Sequence, residues 1–335
     1  MHSAWRRAAR SHEAVLGGAV LLVGIALSLA TRNFLSWHNL FNLIDSYAAT
    51  GIFAAGLLVV LIAGGIDISF TATAAVSQYL TASVLVAYGG NWFTVFAVSA
   101  ALGAAIGALT GVLVHTLRVS AIIVTIATLN MLYGALIFAT NGAYIYDLPD
   151  WFTDGGSIWQ IADTADSSYS ISVQALALAA ALLATALLLR RTSVGRQIHA
   201  LGGNAEAARR LGLNILRLHL LVYGYMGLLA GIAGVIEAQL AHSVAPAALV
   251  GTELDVLAVV LLGGASLAGG IGSVGGTVLG LALLAELQNG LVLLGISSYW
   301  SRLLVGSVII VSSGAAALGR RARAAPARPA GAPHG

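Results

Sequence analysis

Apolar residues fall in long blocks separated by short polar interruptions along nearly the whole chain. Residues 14–30 form the first block, and at ~1.5 Å of rise per residue it is just long enough to cross a ~30 Å hydrocarbon core. Further blocks at 40–62, 70–87, 93–117, 120–140, 171–189 and 218–241 have the same character. An eighth ends at the glycine-dense turn GGASLAGGIGSVGG, which opens at Gly263, and two more cover 277–293 and 299–318. The pattern predicts an all-α polytopic membrane protein with about ten transmembrane helices. Ser28-Leu29-Ala30 is similar to a cleavage site, but its apolar run exceeds the ~7–15 residues usual in a signal peptide, so the first block reads as a span.

The polar interruptions divide the chain further. Residues 1–13 read as a cytoplasmic N-terminal segment, 14–318 as a transmembrane domain, and 319–335, rich in Pro, Ala and Arg, as a disordered basic cytoplasmic tail. Within the domain, 141–170 is acidic, lacks any basic residue and reads as extracytoplasmic. Residues 190–217 form the one long basic interruption between the termini. Its centre reads as a short helix: Asn204 is placed to cap it, Glu206 lies in the positive first turn, Ala205, Ala207 and Ala208 favour helix, and Gly212 ends it. The plainer reading is a solvated loop whose arginines hold it on the cytoplasmic side.

Composition narrows the function. Hydrophobic residues make up 59% of the 335 and charged residues 9%, against roughly 25% charged in a soluble domain. There is no cysteine, which excludes disulfides, thiol catalysis and cysteine-held metal. There is also no lysine, so no phosphate loop ending in Gly-Lys-Ser/Thr exists, and any ATP driving the protein is hydrolysed by another chain. The net charge of +3 is a topology signal and not a nucleic-acid footprint. Ten spans place Arg6, Arg7, Arg10, Arg118, Arg190, Arg191, Arg196, Arg209, Arg210, Arg217, Arg320, Arg321, Arg323 and Arg328 on one side, 14 of the 16, leaving Arg32 and Arg302 outside or near it. That asymmetry puts both termini in the cytoplasm.

Several residues are candidates for a translocation path or gate. Asp67, in GGIDIS, is a charge between two apolar spans, where burial costs at least ~2.5–3.5 kcal/mol. It reads as a cap for a helix starting near Ser69 or as part of a pathway, with Gly64 and Gly65 permitting a broken backbone. Glu237 and Glu286 lie late in or within spans, with Asn289 near the latter, and serve as proton-coupling groups or as bundle contacts. Thr125 and Asn130 give the fifth span polar positions, and Gly263 and Gly264 open the second glycine-rich turn. Gly103, Gly107 and Gly111 share one helix face and permit close packing. Val59-Val60-Leu61-Ile62 before Gly64-Gly65 is echoed by Val259-Val260-Leu261-Leu262 before Gly263-Gly264, a parallel repeat if it is one. Gly270-x-Gly272-x-x-Gly275 matches the dinucleotide fingerprint in spelling only, because it joins two spans instead of a soluble strand and helix. The histidines show no metal-ligand spacing, and no serine, histidine and acid form a triad.

The order Gly195-Arg196, Ala200, Gly202, Asn204, Glu206-Ala207-Ala208-Arg209 and Gly212, with Arg210 beside it, resembles the cytoplasmic coupling loop of ribose-type permeases of ABC importers. The similarity continues at LIAGGIDIS, SAIIVTIATLNMLYG, YGYMGLLAGIAGVIEAQL, ELDVLAVVLLGGASLAGGIGSVGGTVLG and LQNGL, from about Gly51 to Val311. The chain departs from the family's usual spelling at Ala205, at Phe70-Thr71-Ala72 and at Thr125-Ile126-Ala127. The resemblance implies a bacterial inner-membrane permease subunit that moves a monosaccharide, a ribose-like pentose or related sugar, by alternating access. It implies ATP-binding-cassette ATPase partners that bind ATP and Mg, a second permease chain in a homo- or heterodimer, a periplasmic sugar-binding protein and membrane lipid, with no cofactor, metal or nucleic acid on this chain. Competing readings are an ion-coupled secondary transporter using Asp67, Glu237 or Glu286, an importer of another solute such as branched-chain amino acids, and a structural scaffold.

Overall fold

The computed structural model of the chain describes residues 2–154, 156–164, 167–297, 299–300, 302–303, 306–307 and 310. The segment 319–335 and most of the span expected at 299–318 lie outside the described residues. The fold is an all-α bundle with one hairpin, and among the described residues seven helices are long and apolar enough to cross a membrane. These are α1 (His2–Ala30), α4 (Phe70–Tyr88), α5 (Trp92–Leu117), α6 (Ala121–Thr140), α8 (Val173–Arg191), α11 (Ile215–Ala241) and α13 (Val274–Leu293). A bent pair, α2 (Trp37–Ser46) and α3 (Ala48–Ile62), which meet at 47°, is long and apolar enough together to make an eighth.

Two of the ten expected spans take a different form from the one the sequence predicts. The second expected span is bent at Tyr47, whose backbone (φ −103°, ψ 6°) leaves the helical region. The eighth contracts to α12 (Glu253–Leu262), ten residues that reach only ~15 Å, half of the hydrocarbon core. Residues 242–252, which would have supplied its other half, are irregular: Pro246 has no N–H to give a helix, and Gly251 sits at φ 95°. Glu253 and Asp255 occupy the first turn of this half-helix. The acidic 141–170 segment also differs from an all-helical reading, with a four-residue helix α7 (Asp150–Thr153) and strand β1 (Ser157–Thr164), which pairs antiparallel with β2 (Ser167–Ser172).

The core centres on α3, which is buried along almost its whole length, and on the α5–α11 pair. Gly103 and Gly107 of α5 lie directly on the backbone of Gly227 in α11, and Gly111 lies on that of His219. An added Cβ at Gly107 would stand 2.9 Å from the Gly227 Cα, so the close approach requires glycine. Ser99 extends the seam by donating to the Gly231 carbonyl at 2.8 Å. With no hydrophobic driving force between helices in lipid, backbone contact of this kind supplies the attraction.

Two turns at one end of the bundle are built alike. After α3, Gly64 N–H bonds the Leu61 carbonyl and Gly65 N–H bonds that of Val60; after α12, Gly264 bonds Leu261 and Ala265 bonds Val260. Gly64 and Gly264 both take left-handed backbone, φ 84° and 85°, which closes a helix and favours glycine. The echo seen in the sequence is thus a repeated helix stop. The His12 ring bonds the Leu262 carbonyl at 2.9 Å and Glu13 accepts from Ser273 at 2.5 Å, so the start of the first span is clasped to the same end.

Candidate functional site

The basic interruption folds into α9 (Ser193–Gly203) and α10 (Ala205–Arg210). Thr192 caps α9 through the Gly195 N–H, and a Cβ at Gly195 would collide with the end of α8. Asn204 caps α10, its Oδ1 accepting from the Ala207 N–H at 2.9 Å, and Gly212 (φ 80°) follows the helix. Ala208 is the buried side of α10, packed with Leu201, Ile215 and Leu218, while Glu206, Ala207, Arg209 and Arg210 are exposed. Glu206 and Arg210 pair at 3.2 Å one turn apart, a surface contact worth little by itself. Arg196 is also exposed, its guanidinium reaching the Thr192 carbonyl. The result is a short polar helix projected from the bundle on a small apolar foot.

The other candidates do not form one site. Asp67 is 4% exposed, and its Oδ1 accepts from both the Ser69 N–H (2.8 Å) and the Ser69 hydroxyl (2.7 Å). It therefore shapes the start of α4 from two residues before the cap, Ser69. Thr125 pins the same segment by donating to the Ile66 carbonyl at 3.2 Å. Asn130 instead lies on the exposed side of α6 and bonds the Ile126 carbonyl of its own helix. Glu286 faces α1, its Oε1 about 3.4 Å from where a Cβ on Gly24 would stand. Asn289 makes a reciprocal amide pair with Asn39 of α2, both bonds at 3.1 Å. Gly64, Gly65, Gly263 and Gly264 belong to the two helix stops. No group of three or more His, Cys, Asp or Glu placed to hold a metal ion occurs among the described residues.

The structure assembles a polar belt that pattern reading missed. Residues 65–68 carry no helix and lead as a strap from α3 to Ser69, which turns into α4, and the first residues of α4, Phe70 and Thr71, are fully buried. Its first turn meets the first turn of α12: the Thr71 hydroxyl donates to Glu253 Oε1 at 2.5 Å, and Glu253 Oε2 accepts the Gly251 N–H at 2.8 Å. The buried Tyr133 hydroxyl lies near both Thr71 and Glu253 and has no hydrogen bond of ordinary geometry. Tyr47, at the α2–α3 break, donates to Gln288 at 2.8 Å and is near Asp255, which in turn feels the charge of Arg302. Irregular or interrupted backbone at membrane depth is tolerated where it is buried or lines a cavity. The only sequence signal for this belt was the pair Glu253 and Asp255 beside an apolar run.

Long apolar helices and a bent pair around a polar belt, with a capped polar helix at one end, define a multi-pass membrane protein. Residues 39–313 match the family profile described as "Branched-chain amino acid transport system / permease component", and the chain belongs to that family. It is 36% identical over 300 residues to the ribose import permease protein RbsC of Escherichia coli K12, covering 87% of this chain and 90% of that one. Identity to the ribose import permease protein RbsC of Bacillus subtilis is 33%, covering 88% and 89%. Identity to the L-arabinose ABC transporter permease protein AraH of Azospirillum brasilense is 29%, covering 87% and 84%. No solved structure matches the chain.

Proposed function

We propose that this chain is the membrane-spanning subunit of an ABC importer for a monosaccharide, a ribose-like pentose or related sugar. The observation that carries the reading is end-to-end similarity to permeases named for ribose and arabinose, together with a capped, exposed α10 whose polar face is free to dock. The sugar reading is favoured over amino-acid import because the belt of Tyr47, Thr71, Tyr133, Glu253, Asp255 and Gln288 offers phenol, hydroxyl, amide and carboxylate groups. Such groups exchange hydrogen bonds with the hydroxyls of an uncharged polyol, the carboxylates as acceptors.

In this reading the α9–α10 end faces the bacterial cytoplasm, with both termini on that side, and the chain sits in the inner membrane. Separate ATPase subunits bind ATP and Mg and dock on α10 through Glu206, Arg209 and Arg210. A second permease chain completes the pathway, and a periplasmic binding protein delivers the sugar to the opposite end. ATP-driven closure of the ATPases moves α10, and α4 and the half-helix α12 change which side the belt opens to.

Affinity purification of the complex from membranes, followed by an ATPase assay with loaded sugar-binding proteins, tests the reading. Copurified ATPase stimulated by one binding protein loaded with a pentose is the expected result. A chain that purifies without ATPase and still transports in liposomes on an ion gradient overturns it.

A further inference from the structure

Three stretches of backbone meet at the base of α10 with no side chain between them. Gly270 N–H donates to the Ile62 carbonyl at 2.9 Å, joining the turn before α13 to the end of α3. Gly202, in the last turn of α9, lies in the angle between them: an added Cβ there would overlap the Ile62 carbonyl oxygen and stand 2.7 Å from the Gly270 nitrogen. A Cβ on Gly269 would stand 2.7 Å from both the Gly202 oxygen and the Gly64 Cα, and one on Gly64 would stand 3.3 Å from the Gly202 Cα. Real Cβ atoms essentially never approach other atoms closer than 3.0 Å. Gly203, the next residue of α9, differs, because a Cβ there meets nothing within 4 Å.

The position of this contact in the chain matters as much as its closeness. Asn204 and α10 follow Gly202 within two residues, so the contact sits at the root of the projecting helix. It touches the helix stop after α3 and, through Gly269 and Gly270, the loop that runs from the stop after α12 to the start of α13. From the first, the strap leads to Asp67, Ser69 and Thr71; from the second, α12 leads back up to Glu253. Both routes end in the same bond of the polar belt. Interfaces packed backbone to backbone shift as units instead of deforming gradually.

We propose that Gly64, Gly202 and Gly269 form a transmission node, in which a displacement of α10 is delivered to the α3 and α12–α13 turns as one body and reaches the belt through α4 and α12 at once. The proposal rests on the importer reading and assigns positioning roles to these glycines. Gly202→Ala is expected to keep ATPase copurification and basal ATP hydrolysis, because the exposed face of α10 is unaltered. Stimulation by the loaded binding protein and sugar uptake in proteoliposomes are expected to fall by about tenfold, within the range that coupling mutations show. Gly203→Ala should leave all four readouts at wild-type values. Normal uptake in assembled Gly202→Ala overturns the node, whereas a wild-type chain that binds no ATPase counts against the importer reading instead.

A second measurement covers the case in which Gly202→Ala fails to fold. The chain has no native cysteine, and a Cβ on Gly270 would lie 3.2 Å from the Gly203 Cα, so Gly203→Cys with Gly270→Cys places two thiols across the contact. Ready disulfide formation with uptake unchanged before and after reduction is the expected result. Failure of the pair to cross-link, or uptake that stops on oxidation and returns on reduction, shows surfaces that are apart or must separate, and sinks the proposal.

Discussion

Asp67 shows how a single residue can look like pathway chemistry and act as architecture. One carboxylate oxygen takes both the amide and the hydroxyl of Ser69 in a fully buried turn. An amide oxygen can fill that acceptor role, so Asp67→Asn is expected to keep most of the stability, while Asp67→Ala leaves two buried donors unpaired and costs about 1–3 kcal/mol. Thermal unfolding in detergent separates the two, and an equal loss in both variants would show that the charge itself is required. The α5–α11 glycines were readable as a packing face from their spacing, because a four-residue period on a helix is local geometry. Their partners were not: Gly227 and Gly231 of α11 sit more than a hundred residues away, and no local pattern pairs them with α5.

Among the elements, α10 was legible almost to its caps, since an asparagine, an acidic first turn and a closing glycine act through bonds within a few residues. Replacing Glu206 and Arg209 together with alanine should leave the bundle folded, because both side chains are exposed, and should weaken ATPase docking. Copurification and uptake measure this, and wild-type values for both would dissociate α10 from docking. The half-helix α12 was not legible. The apolar run before Gly263 looked like a full span, yet only ten of its residues are helical, and Glu253 at its head bonds Thr71 of α4. Thr71→Val removes the partner of a half-buried Glu253 oxygen, with an expected loss of about 1–3 kcal/mol and slower uptake. Glu253→Gln keeps an acceptor for Thr71 and should be milder in unfolding; the reverse order would argue that Glu253 acts on the sugar path and not on the Thr71 bond.

At the scale of the molecule, the importer and ion-coupled readings diverge in what drives uptake. Glu286, the most suggestive intramembrane carboxylate in the sequence, faces α1 at a helix contact and not the polar belt. Ionophores that collapse proton and sodium gradients in proteoliposomes should therefore leave ATP-driven uptake intact, and inhibition that tracks the gradient would reverse this assignment. The family and the membrane architecture were present in the order of motifs along the chain, which matches permeases over most of their length. Composition and apolar run length determine that a chain enters a membrane, and short-range capping determines where a helix such as α10 starts and stops. Only the tertiary structure decided which spans are broken, that Glu253 meets Thr71, and that Gly64, Gly202 and Gly269 touch. Those contacts join residues separated by tens to hundreds of positions, and they exist because in lipid a freed backbone group or a buried carboxylate must find its partner inside the protein, wherever along the chain that partner lies.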